Sequence, residues 1–168
     1  MPEKTCPPDR FRYLDSIVLG MDDALVEFTG ALAGFTVALG ETRIIALAGF
    51  TTGVAATLSM AASEFMSQET AAGCKDPWTA ALATGSAYLI TVALLIMPYF
   101  FFSQPFVALA LCLLLAGIII LAFTWSVARL KGTNFRKYFC RMLSISFCIA
   151  FIAFLIGWAA RAWWGVEA

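Results

Sequence analysis

The sequence predicts an all-α membrane protein with five transmembrane helices, its N-terminus in the cytoplasm and its C-terminus on the opposite side. Of its 168 residues, 61% are hydrophobic and only 13% are charged, against roughly 25% charged in an ordinary soluble domain. The mean hydropathy is +0.85, and a chain this short cannot hide 15 Phe and 5 Trp inside one soluble core. The composition therefore excludes the soluble enzyme classes.

Five segments can each supply the roughly 20 apolar residues that a membrane helix needs. They lie at about 16–39, 42–66, 78–102, 105–129 and 139–164. Gly40-Glu41 before Thr42 is typical of a helix end followed by an N-cap, and Asp76-Pro77 is typical of an N-cap followed by a first-turn proline. Because the connectors are short, we expect one domain over 16–165, preceded by a cytoplasmic or interfacial segment at 1–15.

The basic residues predict the orientation, since Lys and Arg concentrate in cytoplasmic loops. With the N-terminus inside, every Lys and Arg except Arg43 and Arg161 lies on the cytoplasmic side. An odd number of spans then places the C-terminus on the other side.

Charge and residue usage exclude further classes of function. Eleven basic residues balance eleven acidic ones, so no basic excess is present to bind nucleic acid. The sequence has no histidine, which removes the commonest metal ligand and the usual general base. We therefore expect neither an enzyme nor a bound cofactor.

Acidic residues inside the first two spans predict a functional site. Asp22, Asp23 and Glu27 lie in the first span and Glu64 lies in the second. An Asp at the centre of a membrane helix costs about 2.5 to 3.5 kcal/mol on insertion scales, so such residues usually serve a function. Asp23 and Glu27 are four residues apart and share one helix face.

The second span carries a matching stripe that ends in Met60 and Glu64. We expect the two spans to pack through Gly30, Gly34, Gly49 and Gly53 in their outer halves, because small residues allow close approach. Asp23, Glu27, Met60 and Glu64 would then face one another at similar depth and bind a metal ion. Carboxylates with a thioether suit Fe²⁺ or Mn²⁺, and protons compete for the same oxygens.

Simpler interpretations of these residues stay open. Asp22 also fits a position at headgroup level or a favourable interaction with the helix dipole. Met60 also fits ordinary core packing, and Glu64 could extend to water from near the helix end. Polar residues of the third span, among them Thr84, Tyr88 and Thr91, either line a path or hydrogen-bond neighbouring helices.

The sequence resembles the vacuolar iron transporter family. The family's first helix carries Asp-Gly-Leu-Val before a polar pair and an aromatic residue, and this chain has Asp23-Ala24-Leu25-Val26-Glu27-Phe28. The second helix of the family ends in a Ser-Met-Ala, small, Gly-Glu-Tyr, any, Ser pattern, matched here by residues 59–67, SMAASEFMS. Thr84-Gly85 and Pro98-Tyr99 are also similar to the family. Ala24 and Ser63 replace family glycines, and Glu27 stands where the pattern has a hydroxyl.

The resemblance implies a homodimer that moves Fe²⁺ or Mn²⁺ out of the cytoplasm in exchange for protons, with Asp23, Met60 and Glu64 on the metal path. The chain resembles a minimal form of the family, without a cytoplasmic metal-binding domain or a ferritin-like domain. We expect it in a prokaryotic plasma membrane, where its partners are lipid, the divalent ion, protons and a second copy. The alternative is a non-transporting membrane subunit whose carboxylates pair with a partner protein.

Overall fold

The computed structural model describes residues 12–71, 74–132 and 134–164, and the regular structure in these residues is helical. α1 (Leu14–Asp23), a π-helical turn (Ala24–Phe28) and α2 (Thr29–Leu39) form one continuous rod, because both junctions keep right-handed helical backbone angles. Four long helices follow: α3 (Thr42–Thr70), α4 (Pro77–Phe101), α5 (Pro105–Lys131) and α6 (Phe135–Trp164). The predicted all-α membrane class is confirmed.

Helices lie along each of the five predicted spans, and in the described part of the chain four of these helices qualify as membrane spans. α3, α4, α5 and α6 are each long and apolar enough to cross a membrane; α3 ends, and α6 begins, about one turn outside the predicted limits. The first predicted span corresponds to the rod of α1, the π-turn and α2, which its acidic residues distinguish from the four apolar helices. Residues 1–11 of the predicted N-terminal segment and residue 165 of the predicted domain lie outside the described residues.

The helix ends show why the chain turns where it does. Gly40 and Gly132 adopt left-handed backbone angles, with φ of 69° and 64°, which glycine accepts without the strain that a Cβ would bring. Asp76 caps α4 as predicted, because its carboxylate accepts the Thr79 backbone N–H at 2.8 Å. The prediction that Thr42 is an N-cap is wrong. Glu41 holds that position, and Thr42 is the first residue of α3, with its hydroxyl donating to the Ser103 carbonyl at 3.3 Å.

Asp76 gives a prediction about stability and pH. Its hydrogen bonds from the Thr79 hydroxyl and backbone hold the pKa of Asp76 below its ordinary value of 3.8. A lowered pKa in the folded state means that the stabilising contribution is complete above the unfolded-state pKa and is lost as pH falls through the folded-state pKa. Asp76→Ala should therefore lower the Tm slightly at pH 7, and the difference from the native chain should shrink below about pH 3.8. Thermal unfolding in detergent at pH 7 and below about pH 3.8 measures the difference in Tm between Asp76→Ala and the native chain. A difference that grows on acidification would contradict the prediction.

Two helices hold the rod in place. α4 contacts both α1 and α3, and α6 contacts α2 and the π-turn. The rod and α4 approach each other closely at Gly20, where an added Cβ would overlap the backbone carbonyl of Thr84. The Thr84 hydroxyl also donates to the Ser16 carbonyl at 3.0 Å, so this contact fixes the rotation of α1 relative to α4.

The prediction that Gly30 and Gly34 of the rod pack against the second span, α3, is wrong. A Cβ on Gly30 would meet the Ile149 side chain at 3.0 Å, and one on Gly34 would meet the Ala153 carbonyl at 3.1 Å, so both glycines face α6. On α3, Gly49 and Gly53 contact side chains of the rod and of α4. The spacing correctly places small residues on one helix face. It does not specify which helix packs there, and α6 offers a matching close approach at Gly157.

Candidate functional site

Asp23 and Glu27, which we call the acid pair, lie at the π-helical turn in the middle of the rod. Asp23 directly precedes the turn and Glu27 lies within it. The two carboxyl groups lie close enough to interact electrostatically. Asp23 is half-buried and Glu27 is exposed on the surface of the single chain. Because π-turns occur frequently at functional sites, the backbone and the two acids point to the same position.

Tyr88 of α4 holds one member of the acid pair. The Tyr88 side chain is fully buried, and its hydroxyl donates to Glu27 Oε2 at 3.2 Å. Thr84 and Thr91 of the same helix bond to backbone groups instead, since Thr84 donates to the Ser16 carbonyl and Thr91 donates to the Ala87 carbonyl. Of the two interpretations from the sequence, a place beside the candidate site fits Tyr88, which contacts Glu27 of the acid pair. Packing fits Thr84 and Thr91.

Glu64 lies in a second polar cluster, beside the beginning of α1. Its side chain is only 6% exposed, so Glu64 does not extend to water. Glu64 Oε1 accepts hydrogen bonds from the Ser16 hydroxyl at 2.7 Å and from the Gln68 amide at 3.1 Å. Both donors are neutral, and they satisfy a carboxylate that burial would otherwise penalise. We call Ser16, Glu64 and Gln68 the Glu64 network.

The expected common depth of the four predicted ligands is not found for Glu64. Ser16 is hydrogen-bonded to Glu64, and Asp23 lies seven residues further along the rod, which corresponds to about 10 Å at 1.5 Å per residue. α3 runs the opposite way, so that Gly53 rather than Glu64 lies beside Phe28 next to Glu27. The sequence spacing shows which residues share a face, but the register between two helices depends on their packing.

Met60 lies between the two clusters on α3, one turn from Glu64 in the direction of the acid pair. It is half-buried and packs against the core, which fits both a packing role and a place on a path. In the part of the chain that the structure describes, no three His, Cys, Asp or Glu side chains group closely enough to hold a metal ion. A single chain thus spreads the four predicted ligands along the rod and α3.

Asp22 is hydrogen-bonded to a residue of α6. Its Oδ2 accepts the Tyr138 hydroxyl at 2.7 Å. The other oxygen, Oδ1, is buried and has no hydrogen-bond partner among the described residues. Neighbouring acids on one helix therefore serve different contacts. Sequence reasoning missed the tyrosine partners of Asp22 and Glu27, because no short-range pattern connects residues 116 and 61 positions apart.

Comparison with known proteins agrees with this architecture. The family model described as the VIT family matches residues 14–75 and 68–158, which include the rod, α3, α4, α5 and most of α6. No curated protein matches the chain. The matched region contains all four predicted ligands. The chain belongs to the VIT family, and this membership together with the membrane-helical architecture indicates a multi-pass membrane transporter of metal ions.

Proposed function

We propose that the protein carries Fe²⁺ or Mn²⁺ out of the cytoplasm in exchange for protons. The observation that carries this proposal is the acid pair, two interacting carboxyl groups at a π-turn in the middle of the rod, which we take to be the first membrane span. Two carboxylates at this depth are costly unless they share protons or bind a cation. A transported ion and returning protons would use the same oxygens alternately.

The order of the ligands supports stepwise movement. Glu64 lies near the end of the rod, Met60 lies one turn deeper, and the acid pair lies at the centre. Carboxylate oxygens accept Mn²⁺ and Fe²⁺, and a thioether shifts the preference away from Mg²⁺ and Ca²⁺. Because protons and metal ions compete for the same carboxylate oxygens, metal binding at the acid pair would release protons held there. Because the metal ion is the substrate, it needs only transient ligands. Four ligands that are spread along the rod and α3 fit this requirement.

The exposure of Glu27 supports a homodimer. Glu27 lies at the middle of the rod and is exposed on the surface of a single chain, where lipid would be an unfavourable neighbour for a carboxylate. A second copy packed on this face would cover Glu27 and close the path on its open side. We further propose that the Glu64 end faces the cytoplasm of a prokaryotic cell, because Lys75 and Lys131 contact the rod at that end and basic residues concentrate on the cytoplasmic side. Arg129, Arg136 and Lys137 lie near Lys131 in sequence, at the end of α5 and the beginning of α6.

Substitution of Glu64 tests the path. In proteoliposomes loaded with a metal-sensitive dye, Glu64→Gln should reduce initial Mn²⁺ flux roughly tenfold or more, because a charged ligand contributes about 1.5 to 3 kcal/mol. Glu41→Gln is the matched control: it removes the same charge at an exposed position in the connector between α2 and α3, and it should leave flux unchanged. Equal flux in both variants would remove Glu64 from the path.

A further inference from the structure

We infer that Lys75 is a tethered counter-ion of the Glu64 network, which an incoming divalent ion must displace. Lys75 would thereby set the affinity for metal at this end of the path and disfavour monovalent cations. The inference rests on the proposed function, since it assigns a selectivity role at the same path.

The geometry is a short chain of hydrogen bonds. The Lys75 ammonium donates to Ser16 Oγ at 3.2 Å, and the Ser16 hydroxyl donates to Glu64 Oε1 at 2.7 Å. One hydroxyl therefore separates the ammonium from the buried carboxylate. The Gln68 amide completes the set of donors to the same oxygen, at 3.1 Å.

The position of Lys75 allows its side chain to leave. It lies outside the helices, in the connector between α3 and α4, directly before the capping residue Asp76. The lysine side chain has a flexible four-carbon stem and a compact charge.

Simple electrostatics predicts the selectivity. Glu64 and the neighbouring ammonium together carry no net charge, so a monovalent ion gains nothing by replacing an ammonium of equal charge that is tethered at high effective concentration. A divalent ion has twice the Coulomb attraction for the carboxylate at the same distance. It can therefore displace the ammonium where Na⁺ or K⁺ cannot.

Transport kinetics of Lys75→Gln test this role. The KM for Mn²⁺ should fall roughly three- to tenfold, because the competing charge is removed, and K⁺ added in place of choline should inhibit Mn²⁺ flux more strongly than in the native chain. Lys75→Arg keeps the positive charge, so its KM for Mn²⁺ and its inhibition by K⁺ should equal those of the native chain. Lys75→Met also removes the charge, and it replaces Lys75→Gln as the test variant if Lys75→Gln does not assemble.

The control is Lys131→Gln. Lys131 lies at the same end of the bundle and forms an ion pair with Asp15, but it makes no hydrogen bond to the Glu64 network. It should leave the KM and the K⁺ sensitivity close to native. If Lys75→Gln and Lys131→Gln behave alike, the inference is wrong while transport itself stands. If the native chain moves no metal, the proposed function fails first.

Discussion

Asp23→Asn should abolish metal transport while leaving the protein assembled. The substitution keeps the shape of the side chain and removes one of the two charges of the acid pair at the π-turn. Loss of a charged ligand worth up to about 3 kcal/mol corresponds to a decrease of about 100-fold in flux. Initial Mn²⁺ and Fe²⁺ flux into proteoliposomes, normalised to reconstituted protein, measures the effect.

Asp15→Asn is the appropriate control for this experiment. Asp15 is an acid of the same helix, but it is exposed and pairs with Lys131 at the end of the rod. Its loss should cost little, since exposed ion pairs contribute about 0 to 1 kcal/mol. Flux that survives in Asp23→Asn at the level of Asp15→Asn would show that the acid pair does not bind the transported ion.

Gly20→Ala should strongly destabilise the bundle. The added methyl group would overlap the Thr84 backbone carbonyl of α4, and neither helix backbone can yield without shifting the rod. Overpacking of this kind costs about 1 to 3 kcal/mol, occasionally more, so we expect a decrease in Tm on the order of 5 to 10 °C. Thermal unfolding followed by tryptophan fluorescence in detergent measures it.

Gly117→Ala makes the same chemical change where the structure has room. Among the described residues, no atom lies within 4 Å of a Cβ at Gly117 in α5, and replacing a helical Gly by Ala is otherwise favourable by about 0.5 to 1 kcal/mol. Its Tm should equal or exceed that of the native chain. If Gly20→Ala and Gly117→Ala had the same Tm, the close contact between α1 and α4 at Gly20 would be contradicted.

The position of Gly20 links packing to the candidate site. Gly20 lies one turn from Ser16, which contacts Glu64, and about one turn from Asp23 in the acid pair. The packing of α1 on α4 therefore sets the direction of both polar clusters. A variant that moves the rod should reduce transport even though Gly20 itself offers no ligand.

Hydropathy and helix-end signals sufficed to predict the helices. Asp76-Pro77 marked the beginning of α4, and Gly40 marked the end of α2, because caps and left-handed turns depend on residues next to one another. The acids at Asp23 and Glu27 were also recognisable, because carboxylates stand out in an apolar helix. These features depend on local sequence, which a single chain displays directly.

Relations between helices were not predictable in the same way. The depth of Glu64 relative to Asp23 depends on the register of α3 against the rod, and the partner of Gly34 depends on where α6 packs. The Tyr88–Glu27 and Tyr138–Asp22 hydrogen bonds depend on the rotation of α4 and α6. Small differences in packing decide each of these, and the spacing of residues within one helix carries no information about them.

Simultaneous recording of metal and proton movement tests the proposed exchange most directly. Proteoliposomes with the native chain, a metal-sensitive dye and a pH dye would receive an inward Mn²⁺ or Fe²⁺ gradient without a starting pH gradient. We predict metal entry accompanied by alkalinisation of the lumen, as protons leave in exchange, and both signals should vanish together in Asp23→Asn. Correctly inserted protein that moves neither ion under any gradient would contradict transport and favour a membrane subunit whose acids pair with a partner protein.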